Sequence, residues 1–299
     1  MLISEFMLAM LAFVFAGLSV ITFSLYYAYR TRENIIRGLA FLLLSLSFLA
    51  ALYYHSKKIN LILIYRGAFG FENPSGLAFA LMLDLLPFRG PPVYLFGNLA
   101  ALASPEVYQP SGLDLFLVVV SKALLIAGLI LLVYKSIVIY LREILGSRSY
   151  LILAVAIVIG LISLGATVAT ATMVRGPLGE AEEARARLLV NAGSATLLAL
   201  SLMTLLVPYS YFRLYRETGE RSYLFQTIGF LLLSAFLGHL SGVLSTLTLD
   251  LAGEAIASFS AQASIMRIYI TMFILSLVSS VLLSVGMILE TVPAGEEAG

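Results

Sequence analysis

Apolar residues in this chain come in long unbroken runs, not at the spacing of amphipathic helices or strands. Seven runs stand out, at roughly 5–29, 35–56, 113–141, 149–174, 188–212, 222–249 and 263–290. At 1.5 Å per residue, about twenty residues cross a hydrocarbon core of about 30 Å. The pattern predicts an all-α integral membrane protein of seven transmembrane helices occupying residues 1–291, with 292–299 as a short cytoplasmic tail. The third to seventh runs exceed what the core requires, so those helices tilt or protrude. The first run lacks a basic leader and is too long for a signal peptide, so it reads as a retained helix.

Tyrosine checks the segmentation independently. Its amphipathic ring favours the headgroup level, and the chain has no Trp to share that task. The sixteen tyrosines fall near run ends or in loops, as with Tyr26, Tyr27 and Tyr29, then Tyr53 and Tyr54, then Tyr209, Tyr211 and Tyr215. Short loops set the orientation. Arg30, Arg32 and Arg37 follow the first run; Lys135, Arg142 and Arg148 flank the next turn on that side; Arg213, Arg216 and Arg221 flank the third. Basic residues collect on the cytoplasmic side, which places the N-terminus outside.

Two turns share a pattern: Arg142-Glu143 leading to Arg148-Ser-Tyr-Leu151, and Arg216-Glu217 leading to Arg221-Ser-Tyr-Leu224. Phe41-Leu-Leu-Leu-Ser45 returns as Phe230-Leu-Leu-Leu-Ser234. One reading is three helical-hairpin repeats plus a seventh helix; the plainer one is that short cytoplasmic turns all gather Arg and Tyr. The segment 57–112 is a long apolar outer loop. Its two apolar stretches, 77–86 and 93–103, are too short to span and are parted by the prolines of 87–92. They read as a re-entrant hairpin or as two short helices on the outer interface. Residues 176–187 form a charged outer segment, with Glu183 and Arg187 at the favourable i,i+4 spacing.

Composition agrees with the pattern. Residues are 61% hydrophobic and 12% charged, whereas a soluble surface needs about 25% charged. The net charge of +1 leaves no basic patch for nucleic acid. With no cysteine, disulfides, thiolate metal sites and cysteine nucleophiles are excluded. Arginine outnumbers lysine 14 to 4, which fits a heat-adapted source.

Lys122 stands out as a basic residue deep in a run, about 13 Å below the outer end of the third helix. His239 sits at similar depth in the sixth, and Asp114 lies nearer the rim. Together they form the candidate intramembrane polar site, since buried ionisable groups face a bundle interior or a wet cavity. The plainer reading is a snorkelling lysine and a satisfied interior histidine. Two small-residue ladders, Ser234, Gly238 and Gly242, then Ser276, Ser280 and Ser284, suit close helix packing. His55 and His239 differ in depth by roughly 15 Å, too far for one bis-histidine haem. The final run has no lysine for a retinal Schiff base, and no hydrolase, zinc-protease or phosphate-loop motif occurs. No cofactor, metal or catalytic residue is expected.

These readings point to a non-enzymatic transport or channel subunit in the cell membrane, or a structural subunit of a larger membrane complex, or a sensor lacking its own output domain. In layout, with seven spans, about 300 residues and the apolar loop between Lys57 and Gly112, the chain resembles the polytopic membrane channel component of the crenarchaeal DNA-import machinery, a relative of conjugation channels. That resemblance implies DNA as cargo, small membrane partner subunits and a cytoplasmic ATPase; it carries no site residue. Without it, the expected partners are lipid and other membrane subunits or further copies of the chain. Cysteines placed at Thr31, Ser147 and Thr218 are expected to react with an impermeant thiol reagent from the cytoplasmic side alone, and one at Ser75 from outside. Labelling of the Ser75 and Ser147 sites from one face would eliminate the seven-span arrangement.

Overall fold

A computed structural model describes residues 3–69, 112–173, 180–238 and 259–291. All regular structure among them is helical: α1 Ile3–Tyr29, α2 Arg32–Phe69, α3 Gly112–Tyr134 running on into a π-helical segment Lys135–Tyr140, α4 Arg142–Leu145, α5 Arg148–Met173, α6 Glu180–Met203, α7 Leu206–Thr218, α8 Arg221–Gly238 and α9 Phe259–Thr291. Six stretches are long and apolar enough to cross a membrane, namely Phe6–Tyr29, Arg32–Tyr53, Phe116–Tyr140, Arg148–Thr170, Ala192–Thr218 and Ile270–Thr291. The predicted run at 222–249 is represented by α8, and its remainder lies outside the described residues, as do 70–111 and the tail 292–299.

Successive long helices are neighbours in space, and α9 returns to pack on α1, so the bundle closes as a ring in chain order. Its interior is largely leucine and other aliphatic side chains, threaded by an aromatic ladder. Phe48 stacks on Phe15 with centroids 5.8 Å apart, Phe15 meets Phe41 at 5.8 Å, Phe41 stacks on Phe230 at 6.2 Å, and Phe230 on Tyr211 at 5.3 Å. Offset ring stacking adds directional attraction to the area each ring buries.

Three short turns gather at one end, and each holds a residue at positive φ. Arg30, Gly146 and Gly219 have φ of 56°, 54° and 74°. Each donates its backbone N–H to the carbonyl four residues earlier, at 2.7, 2.8 and 2.8 Å. Gly219, with ψ of 1°, is the left-handed cap that ends many helices, whereas Gly146, with ψ of −132°, takes a different positive-φ conformation; both normally select glycine. Arg30 takes its positive φ without that freedom, and its guanidinium lies over the ring of Tyr27 at 5.0 Å.

Three departures from the predicted elements have local causes. The second helix runs to Phe69, thirteen residues into the segment assigned to the outer loop; no proline interrupts 57–69, so nothing stops the helix there. The predicted fifth span, 188–212, is two helices broken at Thr204 and Leu205. Pro208 has no N–H to offer the Thr204 carbonyl, which accepts from Val207 N at 2.9 Å instead. The third helix widens before its end, and Leu141 N reaches back five residues to Ser136 O at 3.0 Å.

Close packing between α8 and α9 rests on two glycines. An added Cβ on Gly229 would lie 2.8 Å from Leu283 Cγ, and one on Gly286 would lie 3.0 Å from both Gln226 N and Ser222 O. Ser279 Oγ donates to the Gly229 carbonyl at 2.9 Å across the same seam. Among the described residues, a Cβ on Gly238 meets nothing nearer than Leu198 Cδ1 at 3.9 Å. Backbone cannot yield as a side chain can, so Gly286→Ala is expected to cost about 1–3 kcal/mol. Gly17→Ala, which meets no atom within 4 Å, should be neutral or slightly stabilising through helix propensity. Thermal melting of both variants in one detergent checks this; equal midpoints would mean the seam opens freely.

Candidate functional site

The turn end of the bundle buries a set of charges that no apolar interior would tolerate unpaired. Arg37 of α2 is 1% exposed. Its two terminal nitrogens donate to the two carboxylate oxygens of Glu290 on α9, each at 2.8 Å. This fork-on-fork geometry is the strongest form of ion pair. Arg37 Nη2 also donates to Asn34 Oδ1 at 3.0 Å, one helical turn away. Gln226 of α8 donates from Nε2 to Glu290 Oε2 at 2.8 Å. Arg37 Nε and Gln226 Oε1 are buried without a hydrogen-bond partner among the described residues.

A second cation lies beside the pair. Lys135 is 2% exposed and donates from Nζ to the hydroxyl of Tyr211 at 2.9 Å. The same hydroxyl accepts a longer bond, 3.4 Å, from Arg37 Nη1. Lys135 Nζ is also 5.0 Å from the ring centroids of both Tyr140 and Tyr211, within reach of their negative faces. Tyr140 is fixed in turn by donating to Glu33 Oε2 at 2.7 Å. Two local irregularities present these groups. The π-helical segment buries Lys135, Ser136 and Ile137 consecutively, and the break ahead of Pro208 aims Ser210 and Tyr211 inward, where Ser210 Oγ bonds Ser136 Oγ at 3.2 Å. Such π turns recur at functional sites.

Lys122 is also buried, 7% exposed. It lies where α3, α5 and α6 meet: its Nζ is 3.5 Å from the position a Cβ would take on Gly193, and Ser163 Oγ donates to the Gly193 carbonyl at 2.9 Å. No hydrogen bond or ion pair holds it among the described residues. His239 and Gly242 lie outside the described residues, as does the side chain of Asp114. Of the ladder residues, Ser234 is buried and shares a 2.8 Å bond with Thr204 Oγ1, Ser276 donates to Phe273 O at 2.8 Å, Ser280 Oγ is buried without a partner, and Ser284 is half-buried.

Lys122 is therefore not alone as a buried base. Arg37 and Lys135, which entered the sequence reading as loop charges marking the cytoplasmic side, belong to the bundle interior. The predicted runs 35–56 and 113–141 already held both residues; the correction is that each faces the bundle, Arg37 through its pairing with Glu290 and Lys135 through the π-helical segment. Glu290, Gln226 and Tyr211 were missed as well. Glu290 carried a usable signal, a carboxylate inside the end of an apolar run, which needs a basic partner.

The fold and this cluster define a polytopic helical membrane protein with an ion-pair network buried at its turn end. No known protein family matches the chain, and comparison with curated proteins and with solved structures finds no match.

Removing one partner from a buried pair strands the other's charge. Glu290→Gln is expected to lower stability by about 3 kcal/mol, and the double change Arg37→Met with Glu290→Met to recover most of it. Melting in detergent reads both. A Glu290→Gln protein that melts with the wild type would mean that Arg37 discharges elsewhere.

Proposed function

We propose that this chain is a non-enzymatic transport or channel subunit of a cell membrane, with seven spans and its N-terminus outside, and that it handles anionic cargo. The observation that carries this is the charge balance of α3. Lys122 and Lys135 are both buried, about 20 Å apart along one helix, and neither has a carboxylate within ion-pair distance among the described residues. A buried ammonium without a counter-ion is costly, by about 2.5–3.5 kcal/mol on insertion scales. Retaining two on one helix is reasonable where a passing anion or a hydrated path offsets that cost. DNA, the cargo implied by the layout resemblance, is one such anion. The turn-end cluster then acts as a latch: Arg37, Glu290, Gln226 and Tyr211 join α2, α9, α8 and α7, the helices that would part to open a path.

A second reading, a structural subunit of a larger complex, is favoured by one observation. Aliphatic side chains and the aromatic ladder fill the interior of the described bundle, which suits a static scaffold.

Lys122→Met separates the two. It keeps the side-chain length and removes the charge. Purified protein in liposomes is assayed for flux of chloride, inorganic phosphate and a short oligonucleotide, beside a melting curve on the same sample. Transport predicts flux in the wild type, loss in Lys122→Met, partial retention in Lys122→Arg, and an unchanged or higher melting midpoint. Absent flux in the wild type, or full flux in Lys122→Met, would favour the scaffold.

A further inference from the structure

We propose that the pocket between α4 and α7 holds a single anionic phospholipid from the leaflet at the turn end. The pocket encloses about 360 Å³ between Ile144, Tyr209, Phe212, Arg213, Arg216 and Glu217. Its two ends differ chemically. At one end Arg213 is a fixed post: Nε donates to Glu217 Oε1 at 2.6 Å, Nη1 donates to the Tyr140 carbonyl at 3.1 Å, and Nη2 lies 3.6 Å from Glu143 Oε2. Arg216 stands one turn closer to the loop, exposed, with no ion pair among the described residues. With Arg213 already met by two carboxylates, a phosphodiester seated here would draw its charge-assisted bonds chiefly from Arg216.

At the other end the pocket opens onto an apolar stripe. Phe212 and Tyr209 on α7, Leu205 in the break and Leu202 at the end of α6 are 43%, 53%, 41% and 57% exposed. The stripe runs about 15 Å from Phe212 to Leu202, the depth of one leaflet's hydrocarbon. Phosphate-binding groups followed by an apolar track of acyl-chain length is the shape of a lipid, not of a free anion. The surroundings favour negative charge too. Leaving aside the buried Arg37 and Lys135 and the half-buried Glu290, segments 30–36, 136–148 and 213–221 carry seven basic and four acidic side chains at this end, and such an excess draws anionic lipid.

The test is native mass spectrometry of the delipidated full chain titrated with phosphatidylglycerol or phosphatidylcholine. The wild type should retain one phosphatidylglycerol in preference to phosphatidylcholine. Arg216→Gln should weaken that retention by about fivefold, Phe212→Ala should weaken both lipids, and Arg148→Gln, an exposed arginine outside the pocket, should match the wild type. Equal retention of the two lipids, an unaltered preference in Arg216→Gln, or displacement of the lipid by millimolar inorganic phosphate would each overturn the assignment. Arg216 and Phe212 are exposed, so neither variant removes a buried contact; equal melting midpoints confirm that loss of lipid is not loss of fold.

Discussion

An arginine side chain cannot shed its proton, so wherever Arg37 sits its charge must be met. At 1% exposure it is met by protein alone, and much of the turn end is arranged around that need. Glu290 supplies the charge, which fixes α9 against α2 although neither adjoins the other in sequence. Gln226 holds the carboxylate from α8, and the close approach that allows this is the missing Cβ of Gly286, a turn before Glu290 on the same helix. The ion pair and the glycine seam are thus one arrangement. A side chain on Gly286 would press on Gln226, and through it on the carboxylate that balances Arg37.

Lys135 is handled by different means. It has no carboxylate of its own among the described residues, only a phenol oxygen and two aromatic faces. Arginine beside it takes the Glu290 carboxylate in a two-point grip that a lysine could not form. The division follows geometry: the planar fork matches the carboxylate, and the compact ammonium fits between rings.

Long apolar runs and their charged turns were readable because lipid imposes a coarse rule on composition, one that survives any detail of packing. Depth along a run was readable too, which is how Lys122 stood out. What was hidden depended on local exceptions to regular helix. The π-helical segment shifts Lys135 inward from a place that looks like a turn. Pro208 breaks a run without ending it, and hydrophobicity is blind to that. The Arg37–Glu290 pair joins residues 253 apart, a contact no local pattern encodes. Small-residue spacing named rows of which Ser234, Ser276 and Ser280 are buried, but it did not mark Gly229 and Gly286, since spacing alone does not say which face meets a neighbour.

That separation of 253 residues also sets an order of events during synthesis. Arg37 leaves the ribosome long before Glu290 exists. At the usual elongation rates the interval is roughly ten to fifty seconds, far longer than a helix takes to form. Throughout it, the first hairpin carries an arginine whose native partner is not yet made, with only Glu33, one turn earlier on α2, as a local anion. Arg37 lies only a few residues from the turn at Arg30, so its long side chain can wait among headgroups and water. Insertion of the final helix then draws the guanidinium inward. A much later segment therefore completes the hairpin that holds Arg37, and a chain arrested before α9 would carry its own mark of incompleteness, an unburied arginine at the rim.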